Sequence, residues 1–234
     1  MTKKRRVLVF FIMASMMLAV GAEAALVNPG FEDDFTGWTS YGSTAVVSIV
    51  TMGHGSGGTT EFSPCAGNKM ASITYPAMTG HVTDNYIVQD VVLGPDDNYL
   101  NFKFNFWTYD EAPFDNPGFR VEINGETWVS MEAGDIGDGT VGTLNYTDWI
   151  GLSIPVSGYY VDEERPAEIR LSFSVGNTGD SQYPSGAFID ATSLTSVPEY
   201  QVVPIPAAVL LLGSGLVGVL ALGKTRRKSG ITGQ

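Results

Sequence analysis

The chain has 234 residues, with 13 Lys and Arg against 25 Asp and Glu and a formal net charge of −12. Four of the basic residues lie within the first six positions and four within 224–228, so the long middle part keeps five against every acidic residue but Glu23. A field of that sign disfavours nucleic acid and anionic membrane surfaces and suits a divalent cation or a neutral polymer. Cys65 is the only cysteine, and His54 and His81 are the only histidines. An intramolecular disulfide, a CxxC site and a three-His zinc site are therefore excluded.

Lys3, Lys4, Arg5 and Arg6 precede an apolar run, Val7–Val20, and a small-x-small step, Ala22-Glu23-Ala24. This is the pattern of a secretory signal peptide over residues 1–24, removed before Ala25. Residues 25–194 are one domain's worth of chain, long enough for a single core.

Strand signals fill that domain. Val46–Thr51 is β-branched, and Gly53–Thr60 after it reads as a flexible loop. Lys69–Tyr75 alternates apolar and polar residues, and Tyr86–Leu93 is a further strand closed by Gly94-Pro95-Asp96-Asp97. In Tyr99–Thr108, Leu100, Phe102, Phe104 and Phe106 point one way and Asn101, Lys103 and Asn105 the other, as in a strand with one buried face. Phe119–Ile123 and Glu126–Val129 flank Asn124-Gly125, the strongest short hairpin signal. Trp149–Val156, Glu168–Val175 and Ala187–Leu194 complete the set. No stretch of the domain carries a helix-length apolar stripe. The expectation is all-β: an antiparallel β-sandwich of the jelly-roll kind.

Residues 195–203 read as a linker. Ile205–Gly223 follows as an uncharged apolar run of 19 residues, roughly 28 Å of helix, just enough to cross a hydrocarbon core of about 30 Å. Lys224, Arg226, Arg227 and Lys228 end it. By the positive-inside rule this basic tail stays cytoplasmic, which places everything before the helix on the exported side.

The segment 204–228, led by Val203, resembles the PEP-CTERM sorting signal in its VPxPA variant. The matching residues are Val203, Pro204, Pro206 and Ala207, then the apolar helix, then Arg226 and Arg227. The resemblance implies an exosortase-type processing enzyme as partner and a helix held in the inner membrane before processing. It further implies a place in the cell envelope or extracellular matrix of a Gram-negative bacterium, with a link to extracellular polysaccharide. The motif's Glu is missing, and Glu199 lies too early to replace it, so the cut site stays open.

Three internal segments resemble the jelly-roll domains of carbohydrate-binding modules and other galactose-binding-like folds. They are Val27-Asn28-Pro29-Gly30-Phe31-Glu32 with Gly37-Trp38, then Ala66–Ile73, then Gly186–Leu194. The likeness implies a structural Ca²⁺ tying the first strand to the last, with Glu32 and Asp190 as side-chain ligands and the Asn68–Lys69 region adding oxygens. Ca²⁺ takes six to eight such oxygens at about 2.3–2.6 Å. The second Asp of the closing strand is Ala191 here.

Saccharide binding needs exposed aromatic rings, whose faces stack on pyranose C–H groups, beside polar side chains. The candidates are Trp38, Tyr41, Trp107, Tyr109 and Trp128, with the acidic loop that contains Asp110 and Asp115. Each ring can equally serve the core. There is no G-x-S-x-G elbow, H-E-x-x-H or phosphate-cradling Gly loop, and the chain reads as non-catalytic.

Overall fold

The computed structural model describes residues 26–55, 57–76, 85–110, 117–136, 140–160, 167–176 and 183–202. The signal-peptide stretch, Asp115 and the whole sorting segment (Val203, Pro204, Pro206, Ala207, Arg226 and Arg227 included) lie outside the described residues. Among the described residues no helix is long and apolar enough to cross a membrane.

The strands run in chain order: β1 (Thr39–Tyr41), β2 (Thr44–Val47), β3 (Val50–Gly53), β4 (Thr59–Phe62), β5 (Met70–Tyr75), β6 (Asn85–Val92) and β7 (Tyr99–Thr108). They continue as β8 (Gly118–Ile123), β9 (Glu126–Glu132), β10 (Asn145–Tyr146), β11 (Ile150–Pro155), β12 (Glu168–Gly176), β13 (Ser185–Thr195) and β14 (Gln201–Val202). One short helical turn, α1 (Ala133–Ile136), follows β9. A 5-stranded sheet has the order β1-β6-β12-β8-β9, and a 7-stranded sheet the order β14-β11-β7-β13-β5-β2 with β10 on β7. All pairs are antiparallel except β11 with β14.

The alternation in β7 explains the sandwich. Leu100, Phe102, Phe104 and Phe106 are fully buried on its inner face. They meet the inner face of the smaller sheet, where Phe104 stacks on Phe119 at 4.6 Å and Phe102 meets Phe173 edge-on at 5.2 Å. Asn124 and Gly125 both have positive φ, 55° and 80°, as the type I′ turn between β8 and β9 requires.

Three sequence expectations need correction. Val46–Thr51 is not one strand: β2 joins the large sheet, while β3 leaves it to pair with β4. The supposed loop Gly53–Thr60 is the tip of that β3–β4 hairpin. Residues 199–202, read as linker, are stitched to the sheet: Glu199 N–H donates to Asn101 Oδ1 at 3.2 Å, Tyr200 N–H to Ser153 Oγ at 2.9 Å, and β14 pairs with β11.

Together the hairpin and this C-terminal stretch form a partial third layer. They cover the polar face of β7, so Asn101 and Asn105 are buried rather than solvated. Under the hairpin a second apolar cluster gathers Phe62, Met70, Trp107, Leu144 and Phe188. Trp107 faces away from the main core, as its place in the alternation demands. Its indole lies over Gly186, its cross-strand neighbour. A Cβ at Gly186 would sit 2.5 Å from Trp107 Cζ2 and 2.6 Å from the Ile73 carbonyl. Gly186→Ala should therefore cost about 1–3 kcal/mol through overpacking, read as a lower denaturant midpoint at unchanged slope.

Candidate functional site

Glu32, Asn68, Lys69 and Asp190 do come together, and their geometry is specific. The opening segment folds on itself: Asn28 Oδ1 accepts the Asp33 N–H at 3.1 Å, and Asn28 Nδ2 donates to the Asp34 carbonyl at 2.7 Å. This clasp drives Phe31 into the core, 5.3 Å from Trp38. It leaves Glu32 on the surface facing the loop before β5. Glu32 Oε1 accepts the N–H groups of Asn68 at 2.6 Å and Lys69 at 3.0 Å. Gly67 has φ +63°, and a Cβ there would lie 2.1 Å from Glu32 Oε1, so only glycine admits the carboxylate.

Asp190 holds the same loop from the sheet side. Its Oδ2 accepts the N–H groups of Cys65 and Ala66, both at 2.9 Å, and the Cys65 thiol at 3.3 Å. Its Oδ1 accepts the Ala191 N–H at 2.6 Å. The register of β13 on β7 shifts between Asp190 and Ser193, and Ala191 has φ 51°. This bulge aims the carboxylate at the loop.

The contacts of these two carboxylates are N–H and S–H donors. A Ca²⁺ ligand turns its lone pairs to the ion, whereas at Asp190 each oxygen already accepts at least one amide hydrogen. The arrangement fits a direct carboxylate–amide clamp better than a cation site. Lys69 contributes its backbone N–H to Glu32, and its ammonium pairs with Asp34 at 2.8 Å.

The electrostatics agree. The amides of Asn68 and Lys69 hold the Glu32 carboxyl below its ordinary value. Burial, then the Asp190 charge, pushes the Cys65 thiol up to about 12. Cys65 is therefore a thiol, not a nucleophilic thiolate, at neutral pH.

The aromatic candidates separate into core and surface. Trp128 is 8% exposed and belongs to the main core. The β8–β9 register jumps from Val121↔Val129 to Glu122↔Thr127, which leaves Trp128 as the extra, inward-turned residue of a bulge. Trp38 is buried against Phe31 and Phe173. Trp107 is capped by the hairpin, and Tyr109 donates its hydroxyl to the Gly53 carbonyl at 2.6 Å, clipping that hairpin down. Asp110 is 3% exposed and packs behind them, its N–H bonded to Thr108 Oγ1. Neither Trp107 nor Trp128 is available as a binding platform.

Tyr41 is 54% exposed and stacks on Tyr86, with ring centroids 5.3 Å apart and planes at 21°. The pair stands at the β1 edge of the smaller sheet's outer face, which no further layer covers among the described residues. Register places Tyr41, Tyr86, Ser174, Arg120 and Ser130 in one row across the five strands, and Thr39, Val88, Ser172, Glu122 and Thr127 in the next. The serines of β12 are short, while Tyr86, Arg170 and Glu122 around them are tall. That difference in height makes an open groove of about 320 Å³. Arg170 Nε lies 3.8 Å from Asp90 Oδ1, both well exposed, so the guanidinium keeps donors free for a ligand. Of these residues sequence reasoning reached only Tyr41. The outward phase of Tyr86, Arg170, Ser172 and Ser174 was available in the strand alternation.

No protein-family model matches the chain, and no curated protein matches its sequence. Solved structures with related architecture include carbohydrate-binding modules. A non-crystalline-cellulose-specific module, CBM28, is 14% identical, with 73% of this chain on 94% of that one and a TM-score of 0.41. CBM27-1 of Caldicellulosiruptor saccharolyticus, solved with mannohexaose, is 14% identical, with 73% on 96% and a TM-score of 0.37. The enzymatically active domain of bacteriophage CBA120 tailspike protein 4 is 13% identical, and this chain spans only 21% of its length, at a TM-score of 0.33. At these values the likeness carries no argument about ligand or activity.

The clamp makes a direct prediction. Asp190→Ala removes the acceptor of the part-buried amides of Cys65, Ala66 and Ala191 and should cost about 1–3 kcal/mol in chemical denaturation. Alkylation of Cys65 at pH 8, negligible in the parent, should then become readily measurable as the thiol loses both its cover and the neighbouring charge.

Proposed function

We propose that the protein is a non-catalytic, saccharide-binding β-sandwich whose polymer lies across the outer face of the five-stranded sheet. The exposed Tyr41–Tyr86 stack beside a serine-floored groove carries this reading. Stacked phenol rings offer a flat apolar face to pyranose C–H groups. Arg170, Glu122 and the two serines supply donors and acceptors for hydroxyls. Strands about 4.8 Å apart make the five-strand row longer than a single sugar ring, which suits a chain rather than a monosaccharide. The acidic surface suits a neutral polymer.

The sequence reading supplies the setting. The signal-peptide pattern and the VPxPA-type tail support export, exosortase-type processing at the inner membrane, and residence in a Gram-negative envelope or matrix. Fractionation of the native host tests this: the full-length chain in the cytosol with residues 1–24 intact would end it.

The groove reading is tested on a glycan array with the full chain. Binding should appear on neutral polysaccharides. Tyr41→Ala and Tyr86→Ala should each weaken it about tenfold, or about 1.4 kcal/mol, without lowering the melting temperature by more than a few degrees. No retention on any glycan would leave a structural role without specific saccharide. Turnover of a polysaccharide panel would instead reveal an enzyme.

Thermal melts in chelator and in added Ca²⁺ should coincide, because Glu32 and Asp190 already hold the 65–69 loop through its amide donors. A clear rise with Ca²⁺ would restore a structural metal to this end of the sandwich.

A further inference from the structure

Between residues 25 and 202 the basic side chains are Lys69, Lys103, Arg120, Arg165 and Arg170, set against every acidic residue but Glu23. With carboxylates so plentiful, each cation should find one. Lys69 does, at 2.8 Å from Asp34. Lys103 stands opposite Asp190, with its ammonium 5.4 Å from the Tyr200 ring. Arg165 lies outside the described residues. The two that remain, Arg120 and Arg170, both stand on the outer face of the five-stranded sheet.

Arg170 reaches Asp90 only at 3.8 Å, beyond hydrogen-bond distance. Arg120 has no carboxylate within 4.0 Å among the described residues. Glu122 is two positions along the same strand, but it accepts from Thr127 Oγ1 at 3.4 Å. A half-buried guanidinium left unpaired in so acidic a domain calls for a ligand of opposite charge.

Arg120 lies in the row that begins with the tyrosine stack. Register sets it beyond Ser174 from Tyr86, with Ser130 on its other side. Both serines are short and neutral, so nothing tall in the row separates the guanidinium from the tyrosines. Two strand spacings put Tyr86 and Arg120 about 10 Å apart, room for about two sugar residues. A ring stacked on Tyr41 and Tyr86 therefore has its neighbour over Ser174, within reach of Arg120.

The planar fork of a guanidinium matches a carboxylate, to which it gives two parallel N–H···O bonds. The domain's own negative field disfavours a dense polyanion. That field is screened over about 8 Å at physiological salt, whereas the paired bonds act at contact. The combination selects a carboxylate set apart among neutral sugars.

We propose that the polymer of the open groove is a heteropolysaccharide with isolated uronate residues. A neutral ring stacks on Tyr41 and Tyr86, and the carboxylate of the adjoining sugar takes Arg120. This inference rests on the groove reading and narrows its polymer.

Binding of the full chain to immobilised gellan, xanthan and glucuronoxylan tests it, each beside its own carboxyl-reduced form, with polygalacturonate as the dense polyanion. At least one of the three should bind at least tenfold more tightly than its reduced form and than polygalacturonate. Arg120→Gln should remove that tenfold advantage and leave the reduced form bound as before, at an unchanged melting temperature. Tyr86→Ala should weaken acidic and reduced forms alike. Equal binding of acidic and reduced forms, tighter binding of polygalacturonate, or an advantage that survives Arg120→Gln would each overturn the uronate assignment and leave the groove reading standing. Binding indifferent to both Tyr41→Ala and Tyr86→Ala, or no binding to any form, would end the groove reading and this inference with it.

Discussion

Asp190 is fully buried, and the groups that answer its carboxylate are the N–H dipoles of Cys65, Ala66 and Ala191 and the Cys65 thiol, with Lys103 opposite it in register. An ionised carboxylate taken out of water is costly unless donors surround it, and three amides with a thiol do so here. The same bonds fix the loop that leads from the β3–β4 hairpin into β5. With Glu32 holding the far end of that loop, the hairpin is anchored over the large sheet. Everything on that side, the buried Trp107 included, depends on the anchor.

The consequence is an asymmetric sandwich. The seven-stranded sheet is covered in part by the hairpin and by residues 199–202, with Lys103 set 5.4 Å from the Tyr200 ring. Among the described residues the five-stranded sheet has no such cover, and its outer face includes the exposed Tyr41 and Arg170. Polymer-scale recognition suits the open face, because a groove without end walls accepts a chain of any length.

Much of the architecture was legible because strand periodicity is a local signal. The Phe alternation of β7 marked its core-facing side, and Asn124-Gly125 marked a hairpin whose dihedrals match the turn it demands. The opening segment with Glu32 and the closing strand with Asp190 hold the same loop, residues 65–69. What they do there was not legible, since a sequence shows carboxylates but not whether N–H groups or a cation face them. The hairpin hidden in Gly53–Thr60 escaped because its glycines resemble a loop and its partner strand is only four residues long. Which way Trp128 turns was not legible, because a one-residue bulge reverses a side chain's direction without altering composition. Tyr86 was passed over because a lone tyrosine in a β-branched run looks like core until its neighbour Tyr41 arrives from a strand far earlier in the chain.

The bonds from Cys65 to Asp190 close a span of 125 residues. They also lie beside the strand that fills the gap between β5 and β7, the central position of the large sheet. Until β13 emerges, both neighbours have raw edges and the loop has no anchor. A chain threaded vectorially from its first residue would therefore stay unlocked until its final quarter is delivered. During that delay the unpaired edges of β5 and β7 are open to pairing with another chain.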